Sequence, residues 1–248
     1  MKRYSVLAAV LLLSSSIAHA GFWDFLQKGS GLVSTGATPG VASALTEQEI
    51  IRGLKEALSK GTQQAVASLG RDGGFLTNLS VRIPMPENLQ RVEKTLRKLG
   101  QDKLADDFVA TMNHAAEQAV PMAASIFAGA VTNMTVDDAK AILTGPNDAA
   151  TQYFRKTSED KLREKFAPIV KDATEKTGVT SAYKNLIKQA GPVASFLGAD
   201  AGDLDGYVTQ KSLDGLFKMI ATEEKKIREN PVARSTDLLK KVFGSVAK

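Results

Sequence analysis

No cysteine occurs in the 248 residues. That removes disulfides, thiolate metal ligands and cysteine nucleophiles. It also removes a lipid-modified N-terminus, which needs cysteine at the cleavage position. Histidine is nearly as scarce, with only His19 and His114, so metal sites built from several imidazoles are excluded. No GxxxxGK(S/T), GxSxG, HExxH or GxGxxG string is present. No run of alternating apolar residues is long enough for a sheet, and no internal repeat occurs. Charge of one sign is not concentrated either: 32 basic and 27 acidic residues are interleaved, for a net charge of +5. A nucleic-acid protein gathers its positive charge on one face, so nucleic acid is not an expected partner. Weak attraction to anionic membrane surfaces stays open.

What is present begins with an export signal. Lys2 and Arg3 precede an apolar run from Val6 to Leu13, and the small-residue site Ala18-His19-Ala20 stands before Gly21. A basic start, an apolar core and an A-x-A site predict a secretory signal peptide over 1–20, cleaved after Ala20. The expected compartment is the periplasm. The mature chain then has 228 residues (248 − 20) and a charge near +3, with 30 basic (32 − 2) and 27 acidic residues. That length suits one large helical domain or two small ones.

Residues 21–45 read as a flexible linker, with four glycines and a proline between Gly29 and Gly40. It opens on Phe22-Trp23-Asp24-Phe25-Leu26, aromatics that either dock on the domain core or touch a membrane. The helical domain is expected over 46–248. Thr46-Glu47-Gln48-Glu49 reads as a capping box, and Ile50, Leu54, Leu58, Ala65 and Leu69 recur at helical spacing up to Gly70. Arg71-Asp72-Gly73-Gly74 is a turn. Val81 to Pro86 is extended because residues before proline avoid the helical region, as a short edge strand or a packed loop. Helices are then expected over 87–99, 102–134 with a kink at Pro121, a segment capped by Thr135-Val136-Asp137-Asp138, 148–156, 159–177, 181–190, 204–230 and 236–243. The fold class is all-α: a single multi-helix domain of about seven to nine helices, with at most a minor extended segment near 79–85.

Few polar positions call for explanation. At about 100° per residue, Leu104, Phe108, Met112, Ala115, Ala116 and Ala119 form an apolar arc. Asn113 and Glu117 lie at its edge near Asp106, and His114 points to the polar side with Asp107 and Gln118. The simplest expectation is a boundary Asn–Glu pair beside a solvated histidine; the sharper one is a polar cluster facing a cleft. A serine triad through His114 lacks any strained, activated serine.

In the last long helix, Leu213, Leu216, Phe217, Ile220 and Ile227 form a stripe that contains Glu224, with Glu223 at its rim. A carboxylate there is costly unless paired or hydrogen-bonded. Arg228 stands four residues on, and Arg234 is a further candidate partner. A buried ion pair fixing helix register is expected; a ligand-anchoring or catalytic carboxylate in a pocket is the alternative. Asp203-Leu204-Asp205-Gly206 resembles a calcium loop, but Ala201 and Ser212 stand where its first and twelfth ligands belong. It reads as a turn and helix cap. Tyr153-Phe154-Arg155 reads as a packed face with Arg155 snorkelling, with a cation–π or anion site as the alternative.

Several strings together resemble one bacterial family. They are Val81-Arg82-Ile83-Pro84, Met112-Asn113-His114-Ala115-Ala116-Glu117, Asp138-Ala139-Lys140-Ala141-Ile142-Leu143-Thr144-Gly145 and Ala150-Thr151-Gln152-Tyr153-Phe154-Arg155. Tyr207-Val208-Thr209, Asp214-Gly215-Leu216-Phe217 and Glu223-Glu224-Lys225-Lys226-Ile227-Arg228-Glu229-Asn230-Pro231 extend the likeness over nearly all of the mature chain. The chain is similar to domain of unknown function 4197. The resemblance implies an exported, helical envelope protein of Gram-negative bacteria. It carries no established activity, so it transfers no catalytic residue. Some relatives look like lipoproteins; Gly21 at the cleavage point sets this chain apart from them.

The expected function is a non-enzymatic binding module for a partner protein or a small apolar ligand, with no cofactor and no metal. A second expectation is a carboxylate-dependent enzyme of hydrolase type, with Glu117 and Glu224 as acids and Arg228 orienting. A third is a peripheral membrane protein using Phe22, Trp23, Phe25 and Leu26. Gathering of Asn113, Glu117, Glu224 and Arg228 around one cleft favours the enzyme; separation or sealing disfavours it.

Overall fold

The computed structural model describes residues 46–176 and 203–229. The helices expected over 181–190 and 236–243, the signal segment, the linker and Arg234 lie outside the described residues. Within them the chain is all-α, with no strand.

Helix α1 spans Glu47–Leu69 and buries Ile50, Leu54, Ala57, Leu58, Ala65 and Leu69 along one face. A turn-rich segment follows, then Val81–Pro86 as an extended loop rather than a strand. Val81, Ile83 and Met85 alternate inward on this loop, the period-2 pattern of extended backbone. A 3-10 turn at Glu87–Leu89 leads into α2, Gln90–Lys98. Gly100 ends α2 at φ +72°, with Gln101 N–H donating to the Leu96 carbonyl and Gly100 N–H to that of Arg97. This is a Schellman closure, which favours glycine at the left-handed position.

Helix α3 spans Asp102–Ala119; Pro121 then forces a 3-10 turn at Val120–Met122, and α4 continues over Ala123–Thr132. Helix α5, Val136–Thr144, starts on a capping box in which Thr135 and Asp138 satisfy each other's backbone amides. Helix α6 runs unbroken over Ala149–Lys176, where a break between Lys156 and Glu159 was expected. The Thr157 hydroxyl donates back to the Tyr153 carbonyl at 2.8 Å, a bond that lets threonine stay inside a helix, and Ser158 is small enough to be fully buried. Pro168 also sits inside α6. Pro168 and Glu164 are both exposed, so the carbonyl that proline frees is at the solvent face. Helix α7 spans Leu204–Glu229 without interruption. Its first turn is closed by Asp203, whose Oδ1 accepts Gly206 N–H at 2.8 Å.

The core gathers α3, α4, α6 and α7. Phe127, Phe154 and Phe217 meet edge-to-face, with ring centroids 5.1 Å and 6.3 Å from Phe127, the arrangement the ring quadrupoles favour. On α3 the buried arc runs through Ala105, Val109, Met112 and Ala116 and includes Asn113 and Glu117, while Leu104 is exposed. The arc is thus rotated from the Leu104–Phe108 line towards the two polar residues. Gly215 lets Phe75 approach α7: a Cβ there would lie 2.6 Å from the ring.

Candidate functional site

Buried side chains on α3 and α7 hold backbone that has no secondary-structure partner. Asn113 accepts Ile83 N–H on Oδ1 at 2.8 Å and donates Nδ2–H to the Ile83 carbonyl at 2.9 Å and to that of Val109 at 2.7 Å. It gives the extended loop the pairing that a neighbouring strand would supply. One turn on, Glu117 Oε1 accepts Phe75 N–H at 2.9 Å and Leu76 N–H at 3.0 Å. Its Oε2 lies 2.8 Å from His114 Nδ1. Asn113 and Glu117 are 0% and 4% exposed and hold separate segments. His114 is half-exposed and meets a buried carboxylate rather than solvent alone.

Glu224 lies in the apolar face of α7, as its rotation requires, at 7% exposure. Oε1 accepts Ala150 N–H at 3.0 Å, and Oε2 accepts Thr151 N–H at 2.9 Å and the Thr151 hydroxyl at 2.8 Å. Arg228 donates to Oε1 through Nε at 3.1 Å and Nη2 at 2.8 Å. Nη2 also reaches the Ile142 carbonyl at 2.9 Å. The carboxylate therefore caps the N-terminus of α6 from another helix, where the helix dipole favours negative charge. Five donors occupy the roughly four lone-pair sites of a carboxylate, which leaves no site for a substrate proton. The cavity beside it measures about 20 Å³ and is lined by Leu54, Ala57, Leu58, Ile142, Ala150 and Ile227 with the pair itself. That is room for about one water molecule.

The two stations stand apart. Phe75, held by Glu117, packs on Gly215, and Glu224 is nine residues further along α7, about 13 Å at the helical rise. Arg155 belongs to neither. Its guanidinium lies 4.4 Å from the Phe217 ring centroid and bonds Glu159 at 3.1 Å, with Asp214 at 4.0 Å. The structure brings Glu224 together with Arg228 and places Asn113 beside Glu117. It assembles no common cleft from the five.

An open groove of about 480 Å³ lies elsewhere, between α4, the start of α5 and α6. Ser125, Ile126, Gly129, Ala130 and Asn133 form one side; Tyr153, Lys156, Thr157 and Lys161 form the other, with Asp138 at the end. The Tyr153 hydroxyl donates to the Ala130 carbonyl at 2.9 Å and ties the walls together. Burial raises its pKa, and the Asp138 carboxylate adds to this. Asp138 is pulled below its ordinary value chiefly by the Thr135 hydroxyl and backbone, with Lys156 contributing. Lys156 and Lys161 are exposed, and neither has an ion-pair partner within 4 Å among the described residues. Tyr153, Thr157 and Lys161 follow one helical face at i, i+4 and i+8, with Lys156 on its flank at i+3. That spacing was available in the sequence, but the α4 wall was not. Asp72 is a second omission, since a turn residue gives no signal of the helix it faces. Its carboxylate, His114 and Glu117 place one ligand atom each within 4.8 Å of one another.

Such a fold, with internal carboxylates spent on helix and loop termini, defines an all-α scaffold that presents surface grooves. The chain belongs to the family described as "Protein of unknown function (DUF4197)", whose model matches residues 44–244. No curated protein and no solved structure matches the chain.

Proposed function

We propose that this protein is an exported envelope component that binds an acidic, partly apolar segment of a partner protein in the groove between α4 and α6. The observation that carries this is a pair of exposed lysines, Lys156 and Lys161, with no ion pair within 4 Å among the described residues, beside the apolar floor of Ile126, Gly129 and Ala130. The arginines of α6 and its last lysine are neutralised, Arg155 and Arg163 by Glu159 and Lys176 by Asp172. Lys165 and Lys171 also lack an ion pair among the described residues but do not line the groove. The groove volume falls within the about 300–1,000 Å³ of ordinary ligand sites. Export rests on the basic, apolar and A-x-A sequence of residues 1–20. A buried apolar ligand is less favoured, because the cavity beside Glu224 holds only about 20 Å³. The saturated Glu224 carboxylate speaks against hydrolase chemistry. For membrane association, Phe22, Trp23 and Phe25 lie outside the described residues, and no single described helix is long and apolar enough to cross a bilayer.

Two measurements test this. Fluorescence anisotropy with a Glu/Leu-rich peptide should show saturable, salt-sensitive binding. K156E/K161E should weaken it at least tenfold, and a Lys/Leu-rich peptide should not bind. Equal binding of both peptides, or no effect of the double variant, would overturn the groove assignment. Mass spectrometry of the protein from fractionated cells should give a periplasmic chain starting at Gly21. An N-terminus at Met1 in the cytosolic fraction would overturn export.

A further inference from the structure

We infer that Asp72, His114 and Glu117 form a mononuclear site for a divalent transition ion, with Zn2+ as the best-matched candidate. One imidazole nitrogen and two carboxylate oxygens from two different elements converge within 4.8 Å of one another. Tetrahedral zinc with bonds of about 2.0–2.2 Å sets its ligand atoms ~3.4 Å apart. His114 Nδ1 and Glu117 Oε2, 2.8 Å apart, must therefore open by about 0.6 Å to admit the ion, with Asp72 on its exposed turn completing the set.

The best support lies in how Glu117 is held. Its Oε1 is fixed by the amides of Phe75 and Leu76, which fills that oxygen's two acceptor positions. Among the described residues Oε2 meets His114 alone and keeps a second lone pair. A buried carboxylate with one oxygen anchored and the other presented is the arrangement by which an outer shell orients a metal ligand. The loop that supplies those amides also carries Asp72, so the anchor and the third ligand arrive together.

When the ion binds at Nδ1, the proton that Nδ1 shares with Glu117 Oε2 passes to Nε2, so the imidazole changes tautomer and stays neutral. The donor set of imidazole nitrogen and carboxylate oxygen suits zinc, cobalt and nickel better than magnesium or calcium, which prefer all-oxygen cages. Asp72 is exposed and His114 half-exposed, which gives the ion an entry path and leaves the fourth position to water.

The test is calorimetric titration of ZnCl2 into the full chain, purified without a polyhistidine tag and stripped of metal. His114→Gln keeps a donor for Glu117, and Asp72→Asn lies on an exposed turn, so both variants should fold; far-UV circular dichroism checks this. The parent should bind one Zn2+ per chain and melt at a higher temperature when loaded. Each variant should bind at least tenfold more weakly and lose the thermal shift. Co2+ should give a visible absorption band with the parent that His114→Gln abolishes. No binding by the parent, or equal binding by the parent and both variants, would overturn the site.

Discussion

Glu224, Asn113 and Thr209 show three fates of a polar group inside the molecule. Glu224 is fully engaged, so Glu224→Ala removes the carboxylate partner of the part-buried Arg228 and leaves two amides of α6 without an acceptor. A cost of about 3–5 kcal/mol is expected, read as a large fall in the urea midpoint. Glu224→Gln keeps the shape and should cost less, about 1–3 kcal/mol. Equal stability of the parent and both variants would show that the cap does not act. Asn113→Leu should be comparably severe, because the Ile83 N–H and carbonyl lose their partner inside the core. Thr209 is the opposite case: it is 2% exposed and its hydroxyl has no hydrogen-bond partner among the described residues. Thr209→Val should leave the melting midpoint unchanged or raise it, since removing an unsatisfied hydroxyl recovers its desolvation cost. A marked fall would mean that the hydroxyl has a partner after all. The inward position of Glu224 was legible from its place among Leu216, Phe217, Ile220 and Ile227. Its partners at Ala150 and Thr151 were not, because no sequence spacing links positions 73 and 74 residues apart.

At the level of elements, caps and breakers were the readable part. Thr135 with Asp138, Gly100 and Pro121 each act through backbone geometry within four residues, which local sequence specifies. The Thr157-Ser158 pair misled because the same residues that favour turns also tolerate helix when tertiary packing continues it. The cap of α5 carries a pH dependence. Asp138 is depressed below 3.8 in the folded chain, so its contribution is present above the unfolded pKa and is lost as pH falls through the folded one. Asp138→Asn should therefore destabilise the protein at pH 7, and the gap from the parent should close as pH drops below about 3.8. A gap independent of pH would assign the effect to something other than the charge. Gly215 gives a second outcome at this scale. Gly215→Ala improves helix propensity by about 1 kcal/mol, yet its methyl group would meet the buried Phe75 ring at 2.6 Å. Phe75 is anchored to Glu117 and cannot easily retreat. Net destabilisation of about 1–2 kcal/mol is expected from overpacking, visible as a lower melting temperature.

Across the whole molecule, the Glu117 and Glu224 stations are about 13 Å apart along α7 and share no partner. Losses from Glu117→Ala and Glu224→Ala should therefore add, within about 0.5 kcal/mol, in a double-variant cycle; a large coupling term would indicate that they act as one unit. The all-α class was legible because every helix writes its own periodicity. The site was not, because a groove or a three-residue cluster exists only where α4 faces α6 or a turn faces α3. The cap that Glu224 places on α6 also fixes an order of events. A chain made from its N-terminus presents Ala150 and Thr151 to water long before Glu224 leaves the ribosome. The longest described helix, α6, therefore receives its N-terminal cap only after the chain has been made as far as Glu224, near the end of the last described helix.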